Sequence, residues 1–303
     1  EAIYLLSNGR SFRTRETNPL ITYQQDRLTV YAELTNEQKV SIQKSKNGIT
    51  KVQLNHETCK RSSELAYFLP SQVIYQDIFQ IIDAGPTIRR GLLDWGGFYQ
   101  DENYNKLLQE YRYILKQRNA LLQQKANRNI FAPWDKLLVD MAEKIDNIRA
   151  QYFQRLATTF QEFLAKITNT QCWIKYYKGW DKKASNKNLA TILDEQFASD
   201  LQRQYTHSGV HNADIIFDSV ELKAKQTLSR GQQKIILIAL KLAQATLLQK
   251  ECIYLLDDVC AELDAEHLGK LCDLITQIPG QFFLTTVNPK SLILSSDNQH
   301  FYT

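Results

Sequence analysis

Apolar and polar positions alternate in two short runs near the start of the chain, "RLTVYAEL" from Arg27 and "KVSIQK" from Lys39. A third run, "ITKVQL", follows an Asn47-Gly48 turn, and period-2 alternation broken by Asn-Gly predicts antiparallel strands over 27–54. Next, "LPSQVIYQDIFQIIDAGP" predicts a buried strand at Val73–Tyr75 and a short helix closed by Gly85-Pro86. The period then changes. Leu138, Met141, Ile145, Ile148, Tyr152, Leu156, Phe160 and Phe163 recur at steps of three and four, which predicts a long amphipathic helix. Leu107, Tyr111, Ile114, Leu115, Leu121 and Leu122 mark a partner helix, and Pro133 bars a continuous one. After Cys172 the strand signals return: "CWIKYY", "ADIIFDSVELKA", "CIYLL" and "QFFLTTV". The expected organisation is an α/β unit split by a helical insertion. One part of the α/β unit spans 1–100, a helical lobe spans 101–170, and the remainder of the α/β unit spans 171–303.

The most apolar segment, Ile235 to Leu248, follows a flexible polar cluster, Ser229-Arg230-Gly231-Gln232. A helix begins with N–H groups lacking intrahelical partners and with the positive end of its dipole. Ser229 can cap it, Gly231 lets a ligand approach the backbone, and Arg230 and Gln232 add donors, so the start suits a phosphate. Taken alone, the same residues describe a well-capped core helix. Further on, the strand "CIYLL" ends in Asp257 and Asp258. Carboxylates at the carboxyl end of a strand lie where open α/β sheets bind ligands, and one can hold hydrated Mg2+ while its neighbour polarises water. Two acids can equally be a solvated strand end.

Composition narrows the class. The chain has 303 residues, 43% hydrophobic, enough for two domains and a sizeable core. A net charge of +4 tilts it towards polyanions. Five scattered cysteines without C-x-x-C spacing argue for a reducing compartment, and no apolar run of about 18 residues predicts a membrane span. His207 and His211 are four apart, but the Ser-Gly between them argues against the helix that a metal pair would need. Trp95, Trp134, Trp173 and Trp180 are expected to pack in the core.

In combination, "LSRGQ" followed by "YLLDDVCAELD" resembles the signature motif, Walker B strand and D-loop of ABC-type ATPases. With "GRSFRTRE" at 9–16, "RRGLLDW" at 89–95 and "LKQRNALL" at 115–122, the chain resembles the RecF family of bacterial recombination mediators across essentially its whole length. The resemblance implies an α/β ABC/SMC-type P-loop ATPase head with an inserted helical second lobe. It also implies ATP and Mg2+ as cofactors, an ATP-dependent homodimer, and a weak DNA-stimulated ATPase in the full-length protein. Its partners would be DNA, with single-strand/double-strand junctions favoured, and RecR, with RecO and RecA acting alongside to load RecA at gaps. A cytoplasmic, nucleoid-associated protein follows from the same resemblance.

Residue by residue, Asp257 matches the acid that holds Mg2+ through water, and Asp258 the acid that orients hydrolytic water. Ser229, Arg230, Gly231 and Gln232 match the signature that reaches the opposite subunit's γ-phosphate, and Asp264 matches the D-loop acid at the dimer seam. Gln76 falls at the Q-loop and Thr286 at the switch position, where transporters carry His. His211 falls in a His-containing motif ahead of the signature. Candidate DNA contacts form three groups: Arg10, Arg13 and Arg15; Arg89 and Arg90; and Lys116, Arg118, Lys125 and Arg128. No G-x-x-x-x-G-K-[ST] motif is present, since Gly269-Lys270 precedes Leu271, and in RecF proteins "EAIYLL" belongs to the helix just after that loop. The segment is therefore expected to bind ATP poorly by itself. Another SMC-like or ABC-type DNA-repair or chromosome-maintenance ATPase, or a non-enzymatic interaction module, remains the alternative.

Overall fold

The structure is a computed structural model describing residues 1–59, 62–182, 185–219, 228–248 and 250–287. It divides into two compact units, one formed by residues 1–76 with 245–303 and the other by 77–244. The compact units divide at 76/77 and 244/245.

In the first unit, strands β1 (Arg27–Glu33), β2 (Lys39–Ser45), β3 (Thr50–Leu54) and β4 (Glu57–Thr58) form an antiparallel sheet in that order. Val40 and Ile42 face Leu5 and Leu6 of helix α1 (Ala2–Asn8) and Leu65 of α2 (Ser62–Phe68), so the alternation seen in the sequence is the inward face of this sheet. A second sheet is parallel, with β8 (Cys252–Leu256) between β5 (Ser71–Ile74) and β9 (Gly280–Leu284). Strands from both ends of the chain therefore meet in one sheet, as the split α/β reading requires. Every β8 residue but Ile253 is buried, as expected for a central parallel strand.

The second unit is built on α5 (Tyr104–Gln123) and α6 (Ala132–Ile167), with Pro133 in the first turn of α6. Leu138, Ala142, Ile145, Tyr152, Leu156 and Phe160 form the buried stripe of α6. Preceding them are the short α3 (Gln80–Asp83) and then α4 (Pro86–Gln100), a helix that the sequence reading missed. Pro86 closes nothing; it occupies the first turn, where its fixed φ suits a helix start. Glycines hid this helix. A Cβ on Gly96 would lie 2.1 Å from Tyr152 Cζ, and one on Gly97 would lie 2.6 Å from Tyr104 Cε2, so both aromatic rings need the bare backbone.

An antiparallel ribbon, β6 (Cys172–Tyr177) with β7 (Asp214–Ser219), lies in the same unit as α7 (Leu189–Glu195), α8 (Phe197–Arg203) and α9 (Arg230–Thr246). The strand predicted over Ala213–Ala224 runs into 220–227, which are outside the described residues. Near the end of α9, Gln244 Nε2 donates to Leu92 O at 3.1 Å and Tyr152 Oη at 2.9 Å, tying α9 to α4 and α6.

Candidate functional site

In the first unit, β8 ends at Leu256 and the ladder runs one residue further against each neighbour. Asp257 N donates to Ile74 O at 2.8 Å, and Thr285 N donates to Leu256 O at 2.9 Å. Held on both sides, the strand projects Asp257 at its carboxyl end. One carboxylate oxygen, Oδ1, accepts from Thr285 Oγ1 at 2.8 Å; the other, Oδ2, accepts from Arg13 Nη2 at 2.6 Å. Burial pushes this carboxyl up, but the hydrogen bonds from Arg13 and Thr285 and the charge of Arg13 outweigh it and hold the group below the usual carboxylate range. Asp257 is ionised at neutral pH.

The loop after α1 aims Arg13. Ser11 Oγ accepts from Arg13 N at 2.9 Å and Thr14 N at 3.2 Å, forming a local turn. Phe12 packs against Tyr4 and Tyr75, ring centroids 5.5 and 4.8 Å away. Arg10 and Arg15, like Arg13, are exposed. Gln76 is exposed at the first position of a 3-10 turn, two residues beyond Ile74. Asp258 is exposed and adopts left-handed backbone, φ 51°, which Asp tolerates better than most residues. Asp264 caps α10 (Ala265–Thr276): Oδ1 accepts from His267 N at 2.8 Å, and Oδ2 lies 2.7 Å from His267 Nδ1.

In the second unit, Ser229 and Gln232 form a reciprocal capping box. Ser229 Oγ accepts from Gln232 N at 3.3 Å, and Gln232 Oε1 accepts from Ser229 N at 2.9 Å. Ser229 is exposed, so its backbone and hydroxyl open to solvent and not to the interior of its own unit. Arg230 donates to Asp83 Oδ2 at 2.8 Å and lies over the Phe79 ring, 4.8 Å from its centroid. The apolar side of α9 is core: Ile235, Ile236, Ile238, Ala239 and Leu242 are all buried.

The predicted DNA contacts lie in different surroundings, and one of them, Arg118, cannot be a surface contact. Arg118 is fully buried, 0% exposed: Nε donates to Asp135 at 2.7 Å and Nη1 to Asp200 and Thr206, each at 2.8 Å. No phosphate reaches it. Arg89 forms a two-point fork with Asp214 at 2.7 and 2.9 Å and donates to Ala84 O at 2.7 Å. Arg90 donates to Ala213 O at 3.1 Å and Thr87 at 2.9 Å. Arg128 binds Asp135 at 2.7 Å and Asp194 at 2.8 Å, leaving Lys116 and Lys125 as the exposed members of that cluster. His211 is a structural link: Nε2 faces the Thr206 carbonyl at 3.0 Å and Nδ1 the Tyr111 hydroxyl at 2.6 Å. A carbonyl only accepts, so Nε2 carries the proton and Nδ1 accepts from Tyr111. Trp173 departs from the core expectation, with 41% of its surface exposed on β6.

Thr285 and Asp83 escaped the sequence reading. The signal for Thr285 was its place at the tip of the strand paired with β8; the neighbouring Thr286 drew attention instead.

Comparison with known proteins places the chain in a family. The family model described as "RecF/RecN/SMC N terminal domain" matches residues 1–302. The chain is 37% identical over 304 residues to the DNA replication and repair protein RecF of Shewanella denitrificans, covering 97% of this chain and 83% of that protein. It is 36% identical over 301 residues to the protein of the same name from Francisella tularensis subsp. tularensis, covering 96% and 85%. The chain belongs to the RecF family. A solved structure of the recombination mediator protein RecF with ATPrS, described in the RecFOR pathway, superposes with a TM-score of 0.77 at 24% identity, over 98% of this chain and 84% of that one. An Smc head bound to the C-terminal winged-helix domain of ScpA gives 0.56 at 16% identity, over 96% and 78%. The fold is that of an ABC/SMC-type ATPase head. No helix among the described residues is long and apolar enough to cross a membrane.

Proposed function

We infer that this chain is the main part of an ATP-dependent recombination mediator that acts on DNA in replication and repair. One observation carries the reading: Asp257 stands at the carboxyl end of a central parallel strand with a cation, the Arg13 guanidinium, already 2.6 Å from its outer oxygen. A site that accepts a guanidinium there has the charge and oxygen chemistry for Mg2+. Bound Mg2+ would neutralise phosphate charge. Asp257 would hold the ion through water, and Asp258, exposed at the turn, would orient the attacking water. Ser229, Arg230, Gly231 and Gln232 would present donors and a positive helix end to the triphosphate of a second copy, with Asp264 and Gln76 completing the site. Relatives named RecF, and RecF structures with ATP and ATPrS in the RecFOR pathway, support this reading. ATP would close two copies on DNA, and the dimer would act with RecO and RecR to load RecA at single-strand gaps. Exposed Arg10, Arg15, Lys116 and Lys125 would supply phosphate contacts without reading sequence.

The test uses the full-length protein. Asp258→Asn should retain ATP and DNA binding and lose turnover, read by nucleotide binding, DNA mobility shift and phosphate release. Turnover at the normal rate would refute the assignment of Asp258.

A further inference from the structure

Thr285 follows β9 directly, and its backbone bonds twice to the end of β8 and the turn beyond it: its N–H donates to Leu256 O at 2.9 Å, and its C=O accepts from Val259 N at 3.2 Å. Its side chain is thereby fixed beside the acid pair. The hydroxyl donates to Asp257 Oδ1 at 2.8 Å and accepts from Asp258 N at 2.9 Å. A hydroxyl has one donor and two acceptor lone pairs, so both bonds form together. The consequences for the two acids differ. At Asp257 the bond occupies the inner oxygen and orients the carboxylate plane, leaving Oδ2 to face a cation, as it faces Arg13 at 2.6 Å. At Asp258 the bond pins the amide of a residue with φ 51°, and so fixes the turn from which the second carboxylate projects.

We propose that Thr285 is the positioning residue of this acid pair, one hydroxyl setting the carboxylate of Asp257 and the backbone of Asp258 at once. The proposal rests on reading Asp257 as the acid that holds the divalent cation. Valine matches threonine in shape without the hydroxyl, and serine keeps the hydroxyl with less bulk. A role confined to filling space would be better preserved by valine; a positioning role would be preserved by serine.

The experiment titrates Mn2+ alone into the isotope-labelled chain and follows paramagnetic broadening of the amide signals of Leu256, Asp257, Asp258 and Val259. Thr285→Val should require on the order of 10-fold more Mn2+ for the same broadening, the usual loss when a group supporting a metal ligand is removed. The Asp258 amide should also exchange faster with solvent. Thr285→Ser should track the parent, and Asp257→Asn should abolish the response. Thr285→Ala carries the same comparison if the valine variant does not fold. Broadening of Thr285→Val at the parent's Mn2+ concentration, or serine performing no better than valine, would overturn the proposal while leaving the cation reading intact. A parent protein whose broadening is absent, or survives Asp257→Asn, would overturn the cation reading itself and the proposal with it.

Discussion

Arg118→Ala should unfold the helical unit long before it affects a DNA surface. The guanidinium is wholly buried and joins three elements: α5, which carries it, α6 through Asp135, and α8 through Asp200. Asp200 is likewise 0% exposed, and its second oxygen accepts from His207 N at 3.1 Å. Thr206 accepts from Arg118 and donates to Asn119 Oδ1 at 2.7 Å, so the network returns to α5. Removing the arginine leaves one fully buried carboxylate without its counter-charge and leaves Asp135 with only Arg128. Breaking such a buried pair costs about 3–5 kcal/mol, a large share of the roughly 5–15 kcal/mol that holds a domain folded. Arg118→Lys should fall between, because an ammonium cannot reproduce a fork to two acids. The exposed pair Lys144–Asp140 sets the scale for comparison; Lys144→Ala should cost about 0.3–0.5 kcal/mol. All four tryptophans lie within residues 77–244, so their fluorescence during urea unfolding reports this unit alone. A midpoint for Arg118→Ala no lower than that for Lys144→Ala would refute the argument. So would a variant that kept its midpoint but lost DNA binding.

Two further outcomes follow from buried contacts of the same unit. Gly96→Ala in α4 should destabilise although helix propensity favours alanine by about 1 kcal/mol; the new Cβ would meet the Tyr152 ring at 2.1 Å, and overpacking of that kind costs about 1–3 kcal/mol or more. A raised urea midpoint would show that the ring moves aside freely. For His211, burial pushes the imidazole pKa down, so its neutral form is favoured on folding. Its contribution is fully present above the unfolded value near 6.5 and is lost as pH falls below that value towards the folded one. The stability gap between the parent and His211→Gln should therefore shrink between pH 7.5 and 5.5 in urea titrations; a constant gap would contradict the buried neutral ring.

Period and chemistry were legible in the sequence to different depths. The stripe from Leu138 to Phe160 announced α6 because one face of a long helix repeats regardless of its partner. The same stripe contains Arg149, whose partners only the structure shows: Asp94 at 2.6 Å, Tyr104 Oη at 2.8 Å and Val210 O at 2.7 Å. The acid-tipped strand was legible only in combination, because an apolar run that stops at two aspartates gains its meaning from the Ser-Arg-Gly-Gln cluster some twenty residues before it. Thr285 was not, since its role depends on the register of β9 against β8, a tertiary fact. Arginine is the residue type whose partner the sequence reveals least, and Arg118 is the example. Charge alone does not say whether a guanidinium meets phosphate or carboxylate, and each partner here (Asp94, Asp200, Asp214) lies far along the chain. The physical reason is the fork itself: planar, always charged and weakly hydrated, it is the cation best suited to burial against carboxylates, whereas an ammonium stays in water. Arg89, Arg118 and Arg149 are neutralised inside the helical unit, so attraction to a polyanion must come from groups that remain solvated, such as Lys116, Lys125, Arg10 and Arg15.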